Sequence, residues 1–419
     1  MFSSEKVDLI EAAPGSSGAD IATTQNDAPL EPSIAAQVAV LCSFPKVGFQ
    51  VRDVRCGWED AEFADRFTVH VPCGWDKLEW YVQFNGSRPW DPPDVIFHSS
   101  PDGLCFQPLL LPGGTGNDGS SWGLLKDWQH NDSYRLLRLL LHLRALFLQQ
   151  QRQQAEAVED GRVKFELSTL AQQEFEVYAP LTAGKSTPEE LQLAVPVLEI
   201  DLRPLTNFRW WSDWLKRSGS DLHLRLLMKF PISGSSSSAN GKASTPQLKL
   251  GGPSLLLSLL GFPETKLPVW TDTMCTVAYL PELAAFIHQR LDSAVSSMQS
   301  RADFISALPA VFGQPLETDT QQFSQTTLFV SANSCMCLVR IALPPSFPQQ
   351  QPSVTLQSIH HFTAHNRPVA SEPISSFPWS PRWSPAQMAQ RLSSFLEDET
   401  VAFKRFCIDV SREAASARA

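Results

Sequence analysis

Leu78 to Phe97, LEWYVQFNGSRPWDPPDVIF, is the stretch that decides the fold of this chain. Leu78, Trp80, Val82 and Phe84 alternate with Glu79, Tyr81 and Gln83, the period of a strand with one buried face. Asn85-Gly86-Ser87 supplies a turn, Pro89, Pro92 and Pro93 stiffen the backbone, and Val95 and Phe97 resume the alternation. The same grammar returns 259 residues later. Cys337, Val339, Ile341 and Leu343 alternate, Pro348 and Pro352 keep the spacing of Pro89 and Pro93, and Val354 and Leu356 answer Val95 and Phe97. Gln351 stands where Pro92 stood. A strand, two prolines at fixed spacing and a second strand form a compound signal, which reads as an internal repeat. Each copy is followed by a Trp-bearing loop and an amphipathic helix: Trp128 before the run from Tyr134, and Trp379-Ser380-Pro381 before the run from Ala386. Two similar domains of α+β class are expected.

Working outward, residues 1–34 are rich in Ser, Ala, Gly and acids and poor in large apolar side chains, so they read as a disordered tail. The first domain is placed at 35–160. KVGFQVRDV from Lys46, FTVHVP from Phe67 to Pro72, the Leu78 strand and the strand ending at Phe97 make a four-strand antiparallel meander. LPGGTGNDGSS from Leu111 reads as a flexible loop, Asn131-Asp132-Ser133 offers caps, and the helix that follows is expected to exit at QQQRQQ, from Gln149. Leu136, Leu137, Leu139, Leu140, Leu141 and Leu143 surround most of that helix, so it needs cover from the middle region or a partner as well as from its own sheet. A middle region at 161–270 shows strand-like runs from Phe175 to Tyr178, from Val197 to Leu202 and from Leu222 to Phe230, readable as a third, eroded meander. SGSSSSANGKAST from Ser233 is a low-complexity insertion.

The last domain is placed at 271–411, with a short tail at 412–419. Helices are expected from Leu280 to Ser297 and from Ala302 to Val311, then strands from Thr326 to Val330, Cys335 to Leu343 and Val354 to Ile359. After WSPRWSP, Pro385 suits a first helical turn, with Met388, Leu392, Phe395 and Leu396 on one face and Phe403, Phe406, Cys407 and Val410 on another.

A chain of 419 residues with 43% hydrophobic content can bury two or three cores. Its formal net charge of -10, with Lys and Arg in no long block, argues against a nucleic-acid surface, because phosphate binding needs clustered cations. Cys42, Cys56, Cys73, Cys105, Cys275, Cys335, Cys337 and Cys407 are scattered through a chain too long to need a disulfide frame, which suggests a reducing compartment. Glu5, Asp8 and Glu11 stand where a signal peptide would carry basic residues, so none is expected. The leucine run from Leu136 to Leu148 is shorter than a membrane span and contains Arg138, His142 and Arg144, so no membrane insertion is expected.

The order helix, meander, Pro-rich turn, Trp loop and C-terminal helices resembles the ubiquitin-conjugating fold, with PWDPPDVIF and FPQQQPSVTL at its Pro-rich strand connection. More narrowly, RFTVHVP, LEWYVQFN, LRLLMKFP, SVTLQSIHHFT and FPWSPRW are similar to the BRE family of scaffold subunits with ubiquitin-conjugating-variant (UEV) domains. The resemblance spans roughly residues 40 to 411 and leaves out the tail and the Ser-rich and Gly-rich insertions. It implies a non-catalytic, cofactor-free scaffold of the BRISC deubiquitinase complex and its nuclear DNA-damage counterpart, in cytoplasm and nucleus. The implied partners are a JAMM-type zinc metalloprotease, its inactive scaffold homologue and a small von Willebrand A-like adaptor on the C-terminal domain, with ubiquitin as a further candidate contact.

The residues leave two rival functions open. An active conjugating enzyme would use Cys105 in DGLCFQPL, but His98-Ser99-Ser100 replaces the His-Pro-Asn that supports the oxyanion, and the second copy has no Cys between Pro352 and Trp379. A free-standing ubiquitin-binding module would need affinity without partners. His361 and His365 have a metal-like spacing beside His360 but lack accompanying ligands, so strand-end histidines are expected. Cys335 and Cys337 share a strand face and read as core. The candidate partner-binding residues are Trp210, Trp211 and Trp214 of RWWSDW, because Trp and Arg dominate hot spots, and Trp379, Arg382, Trp383, Met388 and Leu392 around the last helix.

Overall fold

The computed structural model describes residues 29–44, 47–58, 61–98, 104, 106, 125–126, 128–181, 188–197, 200–218, 224–232, 245–271, 273–363 and 365–416. The expected disordered tail up to residue 28, the Gly-rich loop, Cys105 and the Ser-rich insertion lie outside them. The architecture is mixed α+β with antiparallel sheets, and compactness divides it into two units.

The first unit takes in Met1–Pro196, Asp221–Gly251 and Trp270–Val277. It opens with helix α1 (Pro32–Ser43), which the sequence reading had not separated from the tail. Pro32 sits at a helix start, and the Glu31 carboxylate caps it by accepting from the Ser33 and Ile34 N–H groups at 2.9 and 3.1 Å. Strands β1 (Gln50–Arg55), β2 (Arg66–Cys73), β3 (Asp76–Gln83) and β4 (Asp94–Phe97) then form the expected meander in the order β1-β2-β3-β4. In the turn before β4, Asn85 Oδ1 accepts from Ser87 N–H at 3.0 Å. A Cβ on Gly86 would stand 2.9 Å from the Asp65 carboxylate, so any larger residue in this turn would have to displace that carboxylate.

Helix α2 (Arg135–Glu156) has Tyr134 at its N-cap with no side-chain cap; of the expected Asn131-Asp132-Ser133, Asp132 orders the turn just before it, its Oδ1 accepting from Tyr134 N–H at 3.0 Å and its other oxygen pairing with Arg138 at 2.8 Å. The helix does not exit at Gln149. Gln and Arg are good helix formers, and Gln151 is buried with its Oε1 accepting from Ala179 N–H at 2.9 Å. Helix α3 (Gly161–Thr169) and a second four-stranded sheet follow, β5 (Glu176–Tyr178), β6 (Glu190–Val197), β7 (Leu224–Pro231) and β8 (Gln247–Gly251), in sequential order. The strand expected from Val197 to Leu202 is misplaced: β6 ends at Val197, and Arg203–Asn207 is a 3-10 turn begun by Pro204. This second sheet answers the question posed by the leucine helix. Leu136, Leu137, Leu139, Leu140, Leu143 and Phe147 share one core with Trp80 and Phe67 of the first sheet and with Tyr178, Ala194 and Leu227 of the second.

The second unit takes in Val197–Ser220, Gly252–Val269 and Ala278–Ala419. It holds helix α4 (Arg209–Ser218), helix α5 (Ser254–Leu259) and nearly all of helix α6 (Thr276–Ala307). The two helices expected here are one, because Gln299-Ser300-Arg301 is polar without being a breaker. Ser300 bonds back to the Ser296 carbonyl within the helix, and only Pro309 starts a new turn, α7 (Pro309–Phe312). The sheet has five strands in the order β13-β12-β11-β10-β9. The short edges β9 (Glu317–Thr318) and β13 (Pro368–Ala370) flank β10 (Gln325–Ala332), β11 (Cys335–Ala342) and β12 (Ser353–Phe362). Helix α8 (Pro385–Ser416) runs past the boundary expected at 411. It buries Met388, Ala389, Leu392, Leu396, Phe403 and Cys407 on the sheet, whereas Phe406, which the sequence groups with Phe403 and Cys407 on one face, is 46% exposed.

The repeat seen in the sequence holds in the backbone pairing of three strands in each sheet, β2-β3-β4 and β10-β11-β12. Phe67↔Val82 and Val82↔Val95 in the first sheet correspond to Thr326↔Ile341 and Ile341↔Val354 in the last, each partner 259 residues on. Outside the ladder, the Phe84 N–H bond to the Asp65 carbonyl recurs as Leu343 to Ser324, and Arg88 to Asn85 recurs as Phe347 to Pro344. Alternation and proline spacing therefore fixed register as well as strand identity, since a slip by one residue would turn Trp80 and Val339 out of their cores.

Candidate protein-binding surfaces

The loop before α8 is built around Trp379. Its indole N–H donates to the Pro348 carbonyl at 3.0 Å, tying the Pro-rich connection to the helix entry. Phe304, Phe347 and Phe377 surround the indole with centroids at 6.1, 5.6 and 6.2 Å, and Phe377 stacks on Phe395 at 4.8 Å. Ser384 and Gln387 close a capping box: Ser384 Oγ accepts from Gln387 N–H at 3.3 Å, and Gln387 Oε1 accepts from Ser384 N–H at 2.9 Å. With Pro385 in the first turn, the helix start is fixed from the local sequence. Trp383 is half-buried beneath the Arg391 guanidinium, 5.6 Å from its ring, and Arg382 is exposed. Met388 and Leu392 are core residues at 3% and 0% exposure, so a partner cannot reach them. Of this candidate set, Arg382, Trp383 and the rim of Trp379 present surface.

The RWWSDW cluster is divided in the same way. Trp211 is fully buried, donates its indole N–H to the Gln321 carbonyl at 2.8 Å, and meets Trp210 and Trp214 edge to face at 5.3 and 5.4 Å. Trp211 anchors α4 within its unit, and only Trp210 and Trp214 stay half-buried at the edge. The Gln321 turn is itself organised by Asp319, which accepts from the Gln321 and Ser324 backbones at 2.9 and 3.0 Å. Burial works against its charge, but the Ser324, Gln321 and Gln322 hydrogen bonds hold its carboxyl below the usual range.

Three of the described cysteines, Cys73, Cys337 and Cys407, are buried in the sheet cores. Burial pushes Cys73 and Cys337 up to about 12 and Cys407 up to about 11, so all three are protonated thiols at neutral pH. His361 shares a hydrogen bond with Ser358 Oγ at 2.9 Å, and among the described residues no three His, Cys, Asp or Glu side chains come together as a metal site. No described helix is long and apolar enough to cross a membrane.

Sequence reading passed over one surface. On the solvent side of β10, β11 and β12, Phe329, Met336 and Ile359 are 41%, 41% and 37% exposed and Leu338 is half-buried. The signal was present in Cys335-Met336-Cys337-Leu338-Val339, where both alternating faces are apolar.

The matched family describes the Brain and reproductive organ-expressed protein (BRE), over residues 29–362. The chain belongs to the BRE family. It is 29% identical over 353 residues to BRISC and BRCA1-A complex member 2 of Branchiostoma floridae, covering 83% of this chain and 85% of that protein. It is 28% identical over 344 residues to the protein of the same name in Danio rerio, covering 80% of this chain and 81% of that protein.

Proposed function

We propose that this chain is a non-catalytic scaffold subunit of a ubiquitin-chain-cleaving complex. The observation that carries this reading is likeness, over at least 80% of both chains, to proteins named as BRISC and BRCA1-A complex members. The register-matched modules are read as UEV domains at 35–160 and 271–411, with 161–270 as a third, degenerate one. In these modules the repeated sheet serves as framework. Thiols buried at Cys73, Cys337 and Cys407 suit packing and not ubiquitin transfer, which needs a thiolate. The first domain and middle region hold the JAMM-type metalloprotease and its inactive homologue. Arg382 and Trp383 seat the small von Willebrand A-like adaptor, and the assembly acts in ubiquitin signalling and DNA-damage repair in cytoplasm and nucleus.

The test is affinity purification of the tagged chain, with mass spectrometry and a ubiquitin-chain cleavage assay on the eluate. Stoichiometric subunits and cleavage sensitive to zinc chelation are expected. A chain that purifies alone yet binds ubiquitin would replace this reading with the free-standing receptor, and a thiol-sensitive ubiquitin adduct abolished by Cys105→Ala would replace it with a conjugating enzyme. Arg382→Glu is expected to release the adaptor while leaving the other subunits bound; its retention would reject the assignment of that loop.

A further inference from the structure

The three register-matched strands of each sheet provide an internal comparison of their outward faces. Counted along the repeat, His70, Lys77 and Glu79 of the first sheet correspond to Phe329, Met336 and Leu338 of the last, with His70↔Glu79 answering Phe329↔Leu338. In the first sheet these three side chains satisfy one another: the half-buried His70 lies 3.3 Å and Lys77 3.6 Å from the Glu79 carboxylate, so these positions are polar, with apolar Ile96 exposed further along the same face. The same backbone, in the same register, carries three apolar side chains in the last sheet, so the fold does not require them there. Ile359 on β12 extends the patch beside Met336. Strands spaced ~4.8 Å apart and same-face residues ~6.8 Å apart give an apolar floor roughly 10 Å across, about the width of one helix. Arg340, next along the same face of β11 and exposed, borders this floor, and Thr327 and Thr355 pair with it in place of any carboxylate. Exposed apolar rows with a flanking unpaired guanidinium match a partner of opposite pattern.

We infer that the solvent face of β10, β11 and β12 is a docking surface for another subunit of the complex, one presenting an apolar stripe with an Asp or Glu set over Arg340. The inference rests on the scaffold reading, but it assigns a surface distinct from the Arg382 loop. Charge complementarity selects this occupant. A cationic surface, such as a basic peptide, would place like charge on Arg340, and a purely apolar one would leave the guanidinium uncompensated.

Met336 supplies the probe. It is 41% exposed, whereas Met228, Met298 and Met388 are at most 3% exposed and serve as protected references. The free chain and the complex purified through it are treated with dilute hydrogen peroxide, which oxidises exposed thioethers to sulfoxides, and mapped by mass spectrometry. Met336 should oxidise in the free chain and slow at least tenfold in the complex. The variant F329H/M336K/L338E, which copies the first sheet and so suits this register, should fold with native circular dichroism but lose one stoichiometric subunit. Arg340→Glu should weaken the same subunit at least tenfold, and Arg340→Lys much less. Equal oxidation of Met336 in the two samples overturns the inference while leaving complex membership intact. Retention of every subunit by the triple variant overturns it as well. If the wild-type chain brings down no stoichiometric partner, the scaffold reading itself fails and this inference falls with it.

Discussion

Replacing Glu176 by Gln tests how the leucine helix is held to the second sheet. Glu176 on β5 accepts from Arg144 of α2 at 2.7 Å, pairs with Arg225 of β7 at 3.1 Å and accepts from the Tyr178 hydroxyl at 2.5 Å. Glu176 and Arg144 are 16% and 13% exposed, and Arg225 is 39% exposed, so the first pair is sheltered and the second is screened by water. Burial disfavours the Glu176 charge, but Arg144 and Arg225 outweigh it and hold the carboxyl below its ordinary 4.5. Breaking one side of a buried pair costs roughly 3–5 kcal/mol. Because Gln keeps an acceptor and Arg225 can turn to water, the low end applies, about 3 kcal/mol. At about 2–4 °C per kcal/mol for a body of this size, the melting midpoint should fall by roughly 6–12 °C. Because the folded-state pKa is depressed, the wild-type advantage is complete above the ordinary carboxyl value and disappears as pH falls through the lower folded value. Paired urea and thermal titrations from pH 8 to 3 should therefore show a constant gap that closes only at the acidic end. A loss under about 1 kcal/mol, or a gap that closes near neutrality, would refute the account of this network.

Glu166, 2% exposed, accepts from both the N–H and the hydroxyl of Thr276, at 2.9 and 2.6 Å, at the start of α6; Glu166→Ala should cost about 2 kcal/mol and speed amide exchange in that first turn. Trp211→Phe keeps the ring but leaves the Gln321 carbonyl without its donor, so chemical denaturation should show a loss of roughly 1–2 kcal/mol. Trp210→Ala, on a half-buried neighbour, should cost less. Cys73, Cys337 and Cys407 should resist a thiol reagent at pH 8 until urea unfolds the chain, because each is buried and far from its thiolate; rapid labelling of any of them in the native state would contradict their placement.

Local sequence by itself determined the repeated strands of the first and last sheets, their register, and the starts of α2 and α8. Alternation at Leu78 and Cys337, proline spacing after each, and Ser384-Pro385 before α8 act over a few residues and need no distant partner. Helix ends were less legible. Gln149 and Gln299 lie in polar stretches that resemble exits, yet polarity alone does not break a helix without Gly or Pro. Only the tertiary structure decided which apolar side chains are core and which are surface. The sequence of α2 shows that a helix leucine-rich around most of its circumference needs cover on two sides, but not that Tyr178, Ala194 and Leu227 provide it. Trp211 and Trp210 are neighbours of the same type, and one is buried while the other is half-buried because a single helix face meets the Gln321 turn. Burial depends on contacts between segments far apart in the chain, such as Trp211 with Gln321 or Glu166 with Thr276, and no local window contains both partners.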